Sequence, residues 1–154
     1  MAVEQVSPNL VFPGLQPFYE RVAPYIYPLV RFTAGIMILP HGYQKVMVFG
    51  VNAVAANVLA KRGIEPALPL ACLIMFLETI GGLCIAFGLF TRVIAAALAI
   101  EFAVITFVAH WPNGFLWTAN GFEYPLMWGI VYFIIAIRGG GHLSIDRNII
   151  GREI

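Results

Sequence analysis

The sequence predicts an all-α, membrane-spanning antiparallel four-helix bundle with a short interfacial or re-entrant segment after the first span. Three observations carry that expectation. Hydrophobic residues make up 60% of the 154 and charged residues only 11%, whereas a soluble domain carries roughly a quarter charged residues. Mean hydropathy is +0.85. Apolar stretches of the length needed to cross roughly 30 Å of hydrocarbon recur along the chain, separated by short turn-forming breaks. One compact membrane domain over 1–154 accounts for the length, with no room for a separate soluble catalytic domain.

The N-terminal segment 1–24 opens MAVEQVSPNLVFPG, without the charged and apolar regions of a cleaved signal. Targeting is therefore expected to fall to the first span, about 25–47, which is apolar until LPHGYQKV, Leu39 to Val46. Pro40 is expected to kink a helix that is nearly finished, and Lys45 to snorkel to the surface. The following VFGVNAVAANVLAKRGIEP is apolar but interrupted by Asn52, Asn57 and Lys61-Arg62, and its front half reads as the interfacial or re-entrant helix. The second and third spans, about 67–90 and 93–111, are separated only by Thr91-Arg92, which forces an antiparallel hairpin. WPNGFLWTANGFE carries two tryptophans and turn signals suited to the headgroup level. The fourth span, about 124–138, is the shortest, and three glycines stop it before a cytoplasmic tail, 139–154, in which Ser144 or Asp146 is available to cap a short helix.

Five arginines fall on one face of this topology (Arg21, Arg92, Arg138, Arg147, Arg152), against Lys45, Lys61 and Arg62 on the other. The bias places both termini in the cytoplasm, with a bacterial inner membrane as the expected location. A net charge of +1 offers no field for nucleic acid. Cys72 and Cys84 lie about 18 Å apart on one helix, too far for a disulfide, and read as small packing residues.

Ionisable side chains at membrane depth are costly unless paired, so each is a candidate for function. Arg31, Glu78 and Glu101 are the deep ones, and they form the candidate catalytic set. If they meet in one core, an arginine between two carboxylates leaves one negative charge or one proton over. The structural alternative is a buried ion-pair network that fixes helix register. Gly81 and Gly82, one turn from Glu78, read as helix-packing residues. Toward the outer side His41, Lys45, His110 and Glu123 form a candidate ligand-binding group, with His41 and Lys45 on one helix face. No metal-ligand spacing links the histidines, and no metal is assigned. Glu101 and His110 are nine residues apart, which on an ideal helix points them in opposite directions.

These features occur in an order that resembles the DoxX-like membrane proteins. The matching residues are Arg31, Gly42 with Lys45, Glu78 with Gly81 and Gly82, Gly88-Leu89-Phe90-Thr91-Arg92, and Gly140-Gly141-His142-Leu143-Ser144-Ile145-Asp146. His142 stands where relatives often carry a basic residue. The resemblance implies a four-helix integral membrane protein associated with redox systems, some of them thiosulfate-to-quinone oxidoreduction. A quinone is the cofactor to test, since no cofactor motif is encoded. The expected partners are the lipid bilayer, other membrane or redox proteins, and a second copy of the chain. Three readings follow: a quinone-linked redox component, whether or not itself a subunit of a membrane oxidoreductase; a non-catalytic accessory or assembly subunit; and a small transporter or proton pathway, which lacks the usual inverted repeats.

Overall fold

The computed structural model describes residues 10–152. The readings that concern residues 1–9 and 153–154 lie outside them. Three helices are long and apolar enough to cross a membrane: α1, Pro13–Phe49; α2, Ala67–Phe87; and α3, Thr91–Asn113. A fourth, α4, spans Glu123–Arg138. Among the described residues there is no strand.

α1 starts well before residue 25 because its prolines do not break it. Pro24, Pro28 and Pro40 all lie inside the α-helical stretch Gln16–Tyr43, and the helix runs past Pro40 as wide π-helical turns over Gln44–Phe49. It stops at Gly50, whose φ of 78° is open to glycine at no steric cost. At 37 residues it is about 55 Å long, which exceeds the hydrocarbon thickness. Residues 51–62 are helical, as α, π and 3-10 turns in succession. Val54, Ala55 and Leu59 bury against Ala71 of α2.

The α2–α3 turn is longer than the Thr91-Arg92 pair expected. α2 ends at Phe87, Gly88 takes the left-handed conformation, and the amide of Leu89 donates to the carbonyl of Cys84 at 2.8 Å. Thr91 and Arg92 are the first residues of α3. α1 and α2 run antiparallel, since Arg31 meets Ile85 and Ala86 while Gly42 meets Glu78. α3 and α4 do likewise, with Arg92 against Ala136 and Phe102 against Tyr132. The core joins Ala34 of α1, Leu77 and Ile85 of α2, Ala95 and Leu98 of α3, and Tyr132 and Ile135 of α4. α4 has 16 residues, about 24 Å, and is shorter than the other three.

Close approach of α1 and α2 depends on glycine. A Cβ on Gly35 would lie 2.4 Å from the backbone of Ala86 and of Gly82, and one on Gly42 2.5 Å from the Glu78 carbonyl. Neither backbone atom has room to retreat, so any side chain there forces the helices apart.

Candidate functional site

The buried polar residues form two groups at different levels of the bundle. In the first group Arg31, only 2% exposed, donates to the carbonyls of Ile85 (2.5 Å), Ala86 (2.8 Å) and Leu143 (2.6 Å). Helices leave their last carbonyls unpaired, and a guanidinium fork is shaped to take several at once. Its Nε alone lacks a partner. Arg92 serves the end of α4 in the same way, donating to Ala136 and Ile137. Asp146, fully buried, accepts from the amides of Phe90 (2.8 Å) and Thr91 (2.9 Å) and from the Thr91 hydroxyl (2.7 Å). It thus caps α3 from the far end of the chain, where a carboxylate also suits the helix dipole. Ser144 caps the turn that follows it, accepting from the amide of Arg147 at 3.2 Å. The segment 139–150 therefore folds back onto the bundle, and Tyr27 donates to Gly139 while Arg138 lies 4.2 Å over the Tyr27 ring.

Arg31 accordingly does not sit between Glu78 and Glu101. The cation beside those carboxylates is Lys45, whose ammonium pairs with Glu78 at 2.5 Å. Fourteen residues separate Arg31 from Lys45, about 21 Å along α1. Glu78 is 3% exposed in its side chain and Lys45 21%. Glu101 adjoins this pair, within electrostatic reach of Glu78 and Lys45. It is 8% exposed; its carboxyl lies against that of Glu78, and neither of its oxygens meets an N–H or O–H donor from another residue. A buried polar atom left this way is rare and calls for an explanation.

Wide turns place these groups. Lys45 lies in the π-helical Gln44–Phe49, Glu78 in Leu77–Gly81, and His110 in Ile105–His110. Such turns need more residues per revolution than an α-helix. For that reason the ideal-helix phase between Glu101 and His110 fails, and both line one cavity. Thr79 and Thr106 donate to the carbonyls four residues back, at 2.6 and 2.7 Å, within or beside the widened stretches.

Two cavities flank the Lys45–Glu78 pair and share Lys45, Glu78, Ile105 and His110 in their walls. The first, about 560 Å³, adds His41, Phe102, Trp128 and Tyr132. The second, about 450 Å³, adds Glu101 and a predominantly aliphatic wall from α2, α3 and residues 51–62. Their sizes, apolar walls and few convergent polar groups are those of a small-molecule site. Glu123 does not line either cavity; its carboxylate accepts from the amide of Trp117 at 3.1 Å and fastens the loop. His110 also reaches that loop, with Nδ1 2.8 Å from the carbonyl of Asn120. Gly82 faces α1 at Ile38, and Gly81 faces Ile94 of α3. Cys72 is exposed on α2, outside the packed core. Among the described residues no three His, Cys, Asp or Glu gather as metal ligands.

Tyr132 escaped the sequence reading. It is 1% exposed, donates to the carbonyl of Ala34 at 2.9 Å and forms the wall of the first cavity together with Trp128. The Trp128/Tyr132 spacing of four, which puts two amphipathic aromatics on one helix face, was the available signal.

Comparison with known proteins places the chain in a family. A family model described as DoxX matches residues 27–111. A protein of Haemophilus influenzae described as "Uncharacterized protein" is 28% identical over 132 residues, covering 84% of this chain and 94% of its own. No solved structure matches.

Proposed function

From the premise that this chain belongs to the DoxX family and is an integral membrane protein, we propose that it is a component of a membrane redox system whose Lys45–Glu78–Glu101 cleft receives a quinone. The observation that carries this reading is the Glu101 carboxyl, which meets no hydrogen-bond donor, is buried beside an ion pair and lines an apolar cavity. One ammonium neutralises one of two carboxyl groups. The second is left to accept a hydrogen bond or a proton from a ligand. The residues suit a quinone head: in the cavity that Glu101 lines, Lys45 offers a donor to a carbonyl oxygen, and the aromatic residues Phe102, Trp128 and Tyr132 line the neighbouring cavity across the Lys45–Glu78 pair. A bound quinone supplies two-electron, two-proton chemistry. This chain orients the ring, excludes water with the aliphatic wall, and holds or passes a proton at Glu101. The electrons come from or go to a partner protein, since the chain encodes no cofactor motif.

In the same reading α4 is the fourth crossing, between the tryptophans of the 111–122 region and Arg138. Both termini then face the cytoplasm of a bacterial cell, with Lys45, Lys61 and Arg62 toward the outer surface.

Purification in mild detergent, followed by solvent extraction and mass spectrometry of what comes along, tests the reading. Wild-type protein is expected to carry a quinone or to bind one added back. A protein that neither retains a quinone nor binds one added back refutes it. Glu78→Gln separates a redox role from an accessory one: loss of quinone-linked turnover with intact assembly supports the redox role. Weakened assembly with no specific kinetic defect supports a non-catalytic accessory subunit.

A further inference from the structure

The second cavity points beyond the ring to the rest of the ligand. Its wall on α2 and α3 includes Leu73, Ile100, Val104 and Val108, which are 47%, 67%, 40% and 44% exposed. Ile100 and Val104 flank Glu101 near the middle of a helix long and apolar enough to cross a membrane. In a bilayer, residues on that outer face of α3 would meet hydrocarbon, so this side of the cavity opens toward lipid. Its inner end is polar. There Glu101, more than nine-tenths buried and without a hydrogen-bond donor, faces the space next to Lys45 and Glu78. The opposite wall comes from residues 51–62 through Val54, Val58 and Leu59.

An apolar side entrance leading to an unsatisfied acceptor selects a particular chemistry. The head must bring a hydrogen-bond donor to Glu101. The charged side chains lining the cavity come in equal number, Lys45 and Arg62 against Glu78 and Glu101, so a head that carries a net charge of its own would leave an excess charge at low dielectric, which is costly. The remainder must be as apolar as lipid.

Resting on the quinone reading above, we propose that the ligand is a long-chain lipid with a neutral, hydroxyl-bearing head, taken laterally from the bilayer. Its head lies at Glu101 and the Lys45–Glu78 pair, and its tail in the cavity between α2, α3 and residues 51–62. The tail gains little free energy over surrounding lipid, because both environments are apolar. It acts by confining the ligand to the membrane and guiding the head to the mouth.

The full chain in phosphatidylcholine nanodiscs, with a hydroquinone carrying a diazirine on its alkyl tail, supplies the test. After irradiation the label is expected within residues 70–74 and 100–108 and on Val58. Excess unlabelled alkyl hydroquinone removes it, whereas a fatty acid of equal chain length does not. Val104→Phe, which intrudes on the tail space, lowers this labelling about tenfold, with calorimetric binding of a tail-less hydroquinone kept within about twofold. Uniform labelling of all lipid-facing residues, or competition by the fatty acid as strong as by the hydroquinone, overturns the inference. Competition by a long-chain alcohol as strong as by the alkyl hydroquinone, with no binding of the tail-less hydroquinone, keeps the lateral neutral-lipid site and refutes the quinone.

Discussion

The two buried polar groups of the bundle treat charge in opposite ways. In the group around Arg31, charges that begin far apart in the chain converge on backbone. Arg31 and Arg92 take up the closing carbonyls of α2 and α4, and Asp146 takes up the opening amides of α3. In the group around Lys45 the charges meet one another across π-helical turns, and Glu101 is left over beside two cavities. Charge spent on helix termini holds the fold, because removing it orphans groups that have no water to turn to. Charge left unsatisfied in a cavity does nothing for stability and is available to a ligand. The distinction sorts residues that look alike in the sequence, where all are simply ionisable groups within apolar spans.

The comparison is open to attack by substitution. The largest effect is expected from Arg31→Ala, which leaves the carbonyls of Ile85, Ala86 and Leu143 unpaired in the bundle; the loss is on the order of 3–5 kcal/mol of stability. Thermal denaturation in detergent reads it, and Arg31→Lys should restore little, since a single ammonium cannot replace the fork. Next is Asp146→Ala, at about 2 kcal/mol, through loss of the cap on α3. Limited proteolysis should then cut within 139–150, because the anchor of that segment to the bundle is gone. Glu101→Gln reverses the pattern: stability changes by less than about 1 kcal/mol, as the amide keeps the shape of the carboxyl and its contact with Glu78, and hydroquinone affinity falls about tenfold. The smallest effect is that of His41→Ala. The side chain is exposed at the cavity edge, so stability should hold within about 0.5 kcal/mol, with affinity reduced less than by Glu101→Gln. A stability loss at Glu101 as large as at Asp146 would erase the distinction between the two groups.

Much of this was legible in advance, and the misses have physical causes. Hydropathy located the long apolar helices, because that signal is summed over some twenty residues. It misjudged their ends: α1 begins at Pro13, since prolines within it do not terminate the helix. Glu78 and Glu101 were identifiable from their depth alone. Their cation was misassigned because depth gives position along a helix and not direction around it, and the wide turns at Lys45, Glu78 and His110 alter that direction in ways no α-helical wheel reproduces. The role of Asp146 was hidden for another reason. A local cap is written in neighbouring residues, whereas this one acts across 55 positions of sequence. Tyr132 was overlooked as one aromatic among many in an apolar span.

The most direct test of the division between a structural group and a ligand-facing group is a paired measurement on Glu101→Gln and wild type in nanodiscs: melting temperature, and the dissociation constant of an alkyl hydroquinone. The account predicts an unchanged melting temperature and affinity weakened about tenfold. Unchanged affinity, or a fall in melting temperature that accounts for the lost binding, would contradict it.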